Sequence, residues 1–239
     1  MTKIAILCGG IGRRIRPLSE KIPKPLIEVG GKPILEHVIQ GYKSQGFGNF
    51  IFCVGYKGQK IVDFLKTKKR IRYYISNEGE KASMLQRIHA LRHDFKNDLV
   101  VGYGDTFIDV QVKDILKAHR QSKKWVTIVT AKIQSPFGLM RFDSEGVPFS
   151  FQEKPILNYY VGYFVINKKA FDSISKNMLK MKDGAGLVSL FKQLIELKQL
   201  NSYQHKRMML TFNTQEELAD AEVKFRHFYS INEGRAIGS

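Results

Sequence analysis

Cys8-Gly9-Gly10-Ile11-Gly12-Arg13-Arg14-Ile15-Arg16-Pro17, running on to Ile22-Pro23-Lys24-Pro25, carries the densest chemistry in the chain. Five cations, Arg13, Arg14, Arg16, Lys21 and Lys24, share the stretch with one nearby acid, Glu20. Glycines let a backbone approach a ligand closely and turn its N–H groups toward it. Amides of that kind, backed by several cations, suit a polyphosphate. Two common phosphate loops do not match. The dinucleotide fingerprint needs a third glycine three residues after the second of its pair, and Ile15 stands there. The Walker pattern needs Gly-Lys-Ser or Gly-Lys-Thr, which Gly31-Lys32-Pro33 does not supply.

The elements that must position this loop are legible around it. Lys3 to Cys8 reads as a buried strand, and Pro33 opens a helix to about Ser44. Asn49 to Val54 is a second strand, followed by a helix from Gly58 to about Lys66. Ile71 to Ile75, Asp98 to Gly102 and the helices Ala82 to Arg92 and Val112 to Ser122 continue the alternation. Strands alternating with helices predict a parallel sheet with crossovers. The second half reads as strands at Val126 to Lys132, Leu139 to Phe142, Pro148 to Gln152 and Tyr160 to Ile166. A helix is expected to start near Lys168, and another runs from Leu187 to Leu197. Asn201 to His205 and Met208 to Leu210 are expected strands. A last helix runs from Thr214 to Phe228, with Thr214 and Glu217 spaced as a capping box. The expectation is one α/β domain over 1–239 with a Rossmann-like, mixed but mainly parallel sheet flanked by helices. Residues 1–125 form its nucleotide-binding half, 126–230 its acceptor-binding half, and 231–239 a loose tail.

A chain of 239 residues, 43% hydrophobic and 26% charged, is ordinary for a globular protein with a real core. No apolar run has the length needed to span a bilayer, and Met1-Thr2-Lys3 leads into a strand without a signal pattern. Cys8 and Cys53 sit inside apolar strands and read as inert core thiols, so a reducing cytoplasm is the expected compartment. The net charge of +17 favours anionic partners. Lys66, Lys68, Lys69, Arg70 and Arg72 form a basic run of the kind that binds nucleic acid. No recognised nucleic-acid motif accompanies it, and it reads as a solvated turn before a strand. His37, His89 and His93 read as helix residues and not as metal ligands, and Tyr159, Tyr160 and Tyr163 as strand packing. Assembly into a homo-oligomer stays open.

Gly9-Gly10-Ile11-Gly12-Arg13-Arg14-Ile15 followed by Lys24-Pro25 resembles the signature loop of the sugar-1-phosphate nucleotidyltransferases. Gly55-Tyr56-Lys57-Gly58, Pro33-Ile34-Leu35-Glu36-His37, Tyr103-Gly104-Asp105 and Phe151-Gln152-Glu153-Lys154-Pro155 are similar to segments of glucose-1-phosphate cytidylyltransferases. The resemblance extends from about Lys3 to Ser230. It implies the nucleotide-diphospho-sugar transferase fold and a reaction of CTP or another NTP with a phosphorylated acceptor, releasing pyrophosphate. It also implies roles. Arg14 and the amides of Gly9, Gly10, Gly12 and Arg13 would hold the β- and γ-phosphates, with Leu7 and Gly104 beside the nucleotide. Lys24 would sit at the α-phosphate, Asp105 would hold Mg²⁺, and Lys154 would orient the acceptor's phosphate. Gly9-Gly10 and the loop at Glu78-Gly79 would read the base. Tyr103, Glu153, Tyr160 and Gly162 would line the acceptor.

The pattern breaks in places. The loop's threonine is replaced by Arg13, and the second metal-binding aspartate by Asn213. An amide oxygen can ligate Mg²⁺ but adds no charge. Tyr160 and Val161 replace an asparagine and a glycine, and Ala82-Ser83-Met84-Leu85 replaces a glycine-rich turn. A long insertion after the third strand is missing. The acceptor half is thus rewritten while the triphosphate half is kept. The expected acceptor is a sugar 1-phosphate or a non-sugar phosphate such as phosphoglutamine, used in bacterial surface-polysaccharide or capsule synthesis. A degenerate nucleotide-binding module and a nucleic-acid-binding protein are the competing readings.

Overall fold

Burial on both faces explains why the first strands read as unbroken apolar runs. In β1 (Lys3–Leu7), Ile4 and Ile6 enter one core while Ala5 and Leu7 enter the other. The computed structural model describes residues 2–68 and 70–236, with side chains described through Phe225.

After β1 come a 3₁₀ turn at Arg13–Ile15, the short α1 (Leu18–Lys21) and a second 3₁₀ turn at Lys24–Leu26. A small hairpin of β2 (Glu28–Val29) and β3 (Lys32–Pro33) leads into α2 (Ile34–Lys43). Then follow β4 (Asn49–Val54), α3 (Gly58–Lys66), β5 (Arg72–Asn77), α4 (Met84–Ala90), β6 (Asp98–Tyr103), β7 (Thr106–Ile108) and α5 (Val112–Ser122). The second half comprises β8 (Val126–Gln134), β9 (Leu139–Phe142), β10 (Pro148–Gln152), β11 (Ile156–Asn167), α6 (Lys176–Lys180) and α7 (Ala185–Glu196). It closes with β12 (Leu200–His205), β13 (Met209–Thr211) and α8 (Gln215–Ala236).

Seven strands form one sheet in the order β12-β8-β11-β6-β1-β4-β5. β6, β1, β4 and β5 are parallel, and β12 is parallel to β8. β11 runs antiparallel to both β6 and β8. This is the mixed, mainly parallel sheet expected from the sequence. On one face Val38 of α2, Ile61 of α3 and Ile115 of α5 share a buried apolar cluster with Phe52 of the sheet. On the other, Leu85 of α4 and Leu190 of α7 share a second cluster with Val101 and Phe164. The chain lays β1, β4 and β5 outward, then returns to place β6 on the far side of β1. That reversal makes the β1–β6 border a switch point, where open α/β sheets take ligands outside the carboxyl ends of their strands.

Several expected elements shift. The helix expected near Lys168 is instead a 3₁₀ turn at Lys168–Ser173, capped by the Asn167 side chain, followed by α6. The expected strand at Tyr160 begins four residues earlier, and its pairing with β8 is interrupted between Tyr160 and Phe164. Ser83 caps α4 in a capping box with Gln86, so that helix starts at Met84 and not at Ala82. The Thr214 cap is present, since Thr214 Oγ1 accepts from the Glu217 amide at 3.1 Å. Glu217 does not complete the box as drawn, because its carboxylate takes the Asn213 amide at 2.6 Å. α8 continues through Ala236, past residue 231 where the sequence leaves a loose tail; 237–239 lie outside the described residues. In the basic run, Lys66 pairs with Asp63 at 3.0 Å and Lys68 with Glu36 at 2.6 Å, while Lys69 lies outside the described residues. Two of its cations are therefore satisfied within the chain. Cys8 and Cys53 are buried free thiols, and burial pushes Cys53 up to about 12.

Asp98 ties the start of β6 to α5. Its carboxylate accepts from Arg120 Nε at 3.0 Å and lies 3.6 Å from His119 Nε2. The His119 hydrogen bond, followed by that of Arg120, holds the carboxyl below its ordinary value. A group depressed in this way contributes stability that is full above the unfolded pKa of about 4 and fades as pH falls through the folded one. Asp98→Asn is expected to cost roughly 1 kcal/mol at neutral pH. Urea unfolding at neutral pH and at about pH 3 should show the gap between variant and native narrowing in acid. A gap that stays constant would contradict this account.

Candidate active site

Lys24, Asp105 and Asn213 converge at the β1–β6 border. Asp105 lies two residues past the end of β6, and Lys24 opens the 3₁₀ turn held between Pro23 and Pro25. β13 pairs with β7, matching Thr211 to Thr106, and so delivers Asn213 to the same place. Lys24 Nζ is 2.8 Å from Asp105 Oδ2 and donates to Asn213 Oδ1 at 3.4 Å. The lysine is only 7% exposed, and its ammonium stands 5.3 Å from the centre of the Phe212 ring. An aromatic face and two oxygens thus stabilise a cation that burial alone would disfavour.

The glycine-rich loop wraps this group. Cys8 N donates to the Cys53 carbonyl at 2.9 Å, and Tyr56 N to the Gly9 carbonyl at 3.3 Å, pinning the loop to the end of β4. Gly12 is left-handed at φ +66°, and a Cβ there would lie 3.3 Å from Lys24 Cβ. The loop therefore lies directly against the lysine. Arg13 and Arg14 sit exposed on the 3₁₀ turn, and no hydrogen bond or ion pair engages either among the described residues. Arg16 pairs with Glu20 at 3.5 Å. Gly104 N donates to the Leu7 carbonyl at 2.9 Å, which holds the β1 and β6 ends together. Leu7 itself is buried in the sheet.

The remaining expected residues fall into two groups. Glu78 and Gly79 form an exposed turn after β5, with Gly79 N donating to Asn77 Oδ1 at 3.0 Å and Ser76 Oγ donating to Glu78 Oε1 at 3.3 Å. On the acceptor side, Gly162 has φ +75°, and a Cβ there would lie 2.8 Å from the Tyr103 ring. Tyr160 packs edge-on against Phe191 at 5.4 Å, and burial, with Tyr103 beside it, raises the pKa of its hydroxyl. Glu153 and Lys154 are exposed in the turn between β10 and β11, 3.9 Å from each other. No hydrogen bond or ion pair joins Lys154 to the Lys24–Asp105–Asn213 group.

One charged residue escaped the sequence reading. Arg87, on α4, is 3% exposed. Its NH1 donates to the Val54 carbonyl and its NH2 to the Gly79 carbonyl at 2.8 Å. A signal was available, because Met84, Arg87, Ile88 and Leu91 fall at i, i+3, i+4 and i+7, on the apolar face of the helix.

The description "Nucleotidyl transferase" belongs to the family model that matches residues 3–211, and the chain belongs to that family of enzymes. It is 31% identical over 197 residues to the bifunctional protein GlmU of Methanocaldococcus jannaschii, covering 80% of this chain and 46% of that protein. The chain thus spans about half the length of that relative. It is 28% identical over 205 residues to the glucose-1-phosphate cytidylyltransferase of Salmonella typhi, covering 73% of this chain and 79% of that one. Uridylyl- and guanylyltransferases also match. The crystal structure of HddC from Yersinia pseudotuberculosis superposes with a TM-score of 0.72 at 21% identity, covering 94% of this chain and all of that one, a likeness of fold.

Gly104 is a tight steric constraint on the site. A Cβ there would lie 2.5 Å from Cys8 Sγ. Gly104→Ala is expected to destabilise by about 1–3 kcal/mol, and adding Cys8→Ala should recover most of the loss. Thermal unfolding of both variants checks this; a double variant no more stable than Gly104→Ala would refute the contact.

Proposed function

We propose that the chain is a Mg²⁺-dependent cytidylyltransferase that joins CTP to a phosphorylated small molecule, giving a CDP-linked product and pyrophosphate. The product would serve bacterial surface-polysaccharide or capsule synthesis. The observation that carries the reading is the convergence of Lys24, Asp105 and Asn213 against a glycine loop at the switch point. Likeness to the Salmonella typhi cytidylyltransferase supports CTP as the nucleotide.

Nucleotidyl transfer depends on in-line positioning and on neutralising charge. The acceptor's phosphate oxygen attacks the α-phosphorus, and the bond to the β-phosphate's bridging oxygen breaks as pyrophosphate leaves. That phosphate is already ionised at neutral pH, so no side chain need take a proton. The loop amides with Arg13 and Arg14 hold the β- and γ-phosphates. Lys24, 2.8 Å from Asp105 in the free protein, exchanges this partner for an α-phosphate oxygen. Lys154, on its exposed turn, approaches the acceptor's phosphate from the β10–β11 side.

The donor set suits Mg²⁺. A carboxylate and an amide oxygen already converge on one cation, the Lys24 ammonium, and Mg²⁺ takes one or two carboxylates together with substrate phosphates. Asp105 and Asn213 would hold the ion, which when bound supplies charge neutralisation at the phosphates. On the acceptor side, the Tyr160 ring against Phe191 offers apolar surface rather than groups that bind sugar hydroxyls. That suits a small or amide-bearing phosphate, such as phosphoglutamine, better than a hexose.

Pyrophosphate release from four NTPs against a panel of sugar and non-sugar phosphates tests the proposal. CTP with a non-sugar phosphate should turn over fastest. Asp105→Ala and Lys24→Ala should each lose at least about a hundredfold in kcat while circular dichroism shows the native fold retained. Asn213→Asp should lower the Mg²⁺ concentration needed for half-maximal rate. Full activity of Asp105→Ala would sink the proposal. Tight nucleotide binding without pyrophosphate release from any pairing would favour the degenerate binding module.

A further inference from the structure

We propose that the hairpin of β9 and β10 is a dimerisation arm, whose apolar face packs against the same face of a second copy of the chain. The inference goes beyond the nucleotidyltransferase reading and does not depend on it.

The arm stands off the body. Among the described residues β9 and β10 pair only with each other, outside the seven-stranded sheet. β8 and β11 carry them, staying paired with each other out to Gln134 and Ile156. That is past Ala131, where β12 lets go of β8, and past Phe164, where β6 lets go of β11. No residue from Lys132 to Asn158 belongs to either buried apolar cluster. A lone two-stranded hairpin is marginal in water and needs a surface to pack against. The two cores of the chain supply none.

Its residues alternate as if one face were to be covered. Met140 stands opposite Phe151, and Arg141 opposite Ser150. Period two therefore places Met140, Phe142 and Phe151 on one face, with Phe149 at the register shift beside Phe142. Arg141, Ser150 and Gln152 take the other. Such alternation normally turns the apolar face inward. Here that face is open: Phe137, Phe142, Phe149 and Phe151 are between 58% and 75% exposed, and Met140, Val147 and Ile156 are exposed with them. The phenylalanines alone leave roughly 500 Å² uncovered. The other three raise the apolar area to roughly 700 Å², more than the roughly 300–600 Å² of the largest patch on a typical monomer. Each partner in a standard interface gives roughly 800 Å².

Charge selects the occupant. The chain carries +17, yet from Lys132 to Tyr159 the cations Lys132, Arg141 and Lys154 are matched by Asp143, Glu145 and Glu153, a net of zero. Two copies repel through their basic bodies but not across this arm. An anionic bilayer would draw the body and not the arm. The arm is also self-complementary. Its tip holds Asp143 and Glu145, and its base holds Lys132 and Lys154 beside Glu153. Asp143 is occupied in the tip turn, accepting the Glu145 and Val147 amides, both at 2.9 Å. Neither Glu145 nor Lys132 has an ion pair among the described residues. A two-fold axis that lays two arms antiparallel sets each acidic tip on the other's lysines and brings apolar face to apolar face.

The test is sedimentation velocity of the full chain from nanomolar to micromolar concentration. The native chain should pass from a monomer of 27.4 kDa to a species of twice that mass. Phe142→Gln combined with Phe149→Gln should raise the dissociation constant at least about a hundredfold. Circular dichroism should stay native, since neither ring belongs to a core. Glu145→Lys should weaken the dimer, and Lys132→Glu in the same chain should restore it. A native chain still monomeric at micromolar concentration overturns the inference, as does a double phenylalanine variant that dimerises like the native chain. A monomer that sediments with phosphatidylcholine or phosphatidylserine vesicles through the same rings assigns the arm to a membrane and overturns it too. Glu145→Lys weakened equally with and without Lys132→Glu overturns the antiparallel packing. Should the variants fail to fold, hydrogen exchange of the native chain decides: amides 139–152 must gain protection as concentration rises, and unchanged protection overturns the inference. None of these readouts needs turnover, so the proposed function and the dimer stand or fall separately.

Discussion

A lysine ammonium 2.8 Å from a carboxylate, at the carboxyl edge of a parallel sheet, is the contact on which the rest of the structure converges. Ion pairs in partly dehydrated places add little to stability, because desolvation offsets most of the attraction. Lys24 is almost fully buried and Asp105 only partly so. Two prolines fix the turn of the lysine, and the Gly104 amide fixes the turn of the carboxylate. A fold built for stability alone would have little reason to hold opposite charges so firmly at a strand end. The proposed reaction, which would bring a polyphosphate and a cation to that edge, supplies one.

The charge around that pair is graded. Arg13 and Arg14 stand in solvent and reach outward, Lys24 is buried, and Arg87 is buried deeper along the loop. The exposed arginines, together with the net charge of +17, draw an anion in. The buried cations, in a less polar setting, act more strongly once it arrives. Glycine makes the gradient possible, since bare backbone at Gly9 and Gly12 lets the two buried cations lie against the loop.

Sequence reading recovered the parts governed by local rules. Apolar runs gave β1, β4 and β6, and the glycines with Lys-Pro gave the loop. Gly-Asp at a strand end named Asp105 and the resemblance named Asn213, and both lie beside Lys24. The misses have physical causes. Asn167 and Ser175 each supply a cap, and the chain between them takes a 3₁₀ turn where a helix had been expected. Glu217 lies within reach of two adjacent amides, and spacing alone does not say which it takes. Arg87 was overlooked because arginine in a helix is usually solvated, and only its register with Met84, Ile88 and Leu91 marked it as inward. Lys154, named from its motif, stands on an exposed turn where its ion pair among the described residues is with its neighbour Glu153.

The most direct measurement is a crystal structure of the full chain grown with CTP and Mg²⁺. The account predicts a triphosphate lying along residues 9–14, with Lys24 Nζ moved off Asp105 and onto a phosphate oxygen. A nucleotide bound elsewhere, or the Lys24–Asp105 pair unchanged beneath a seated nucleotide, would contradict it.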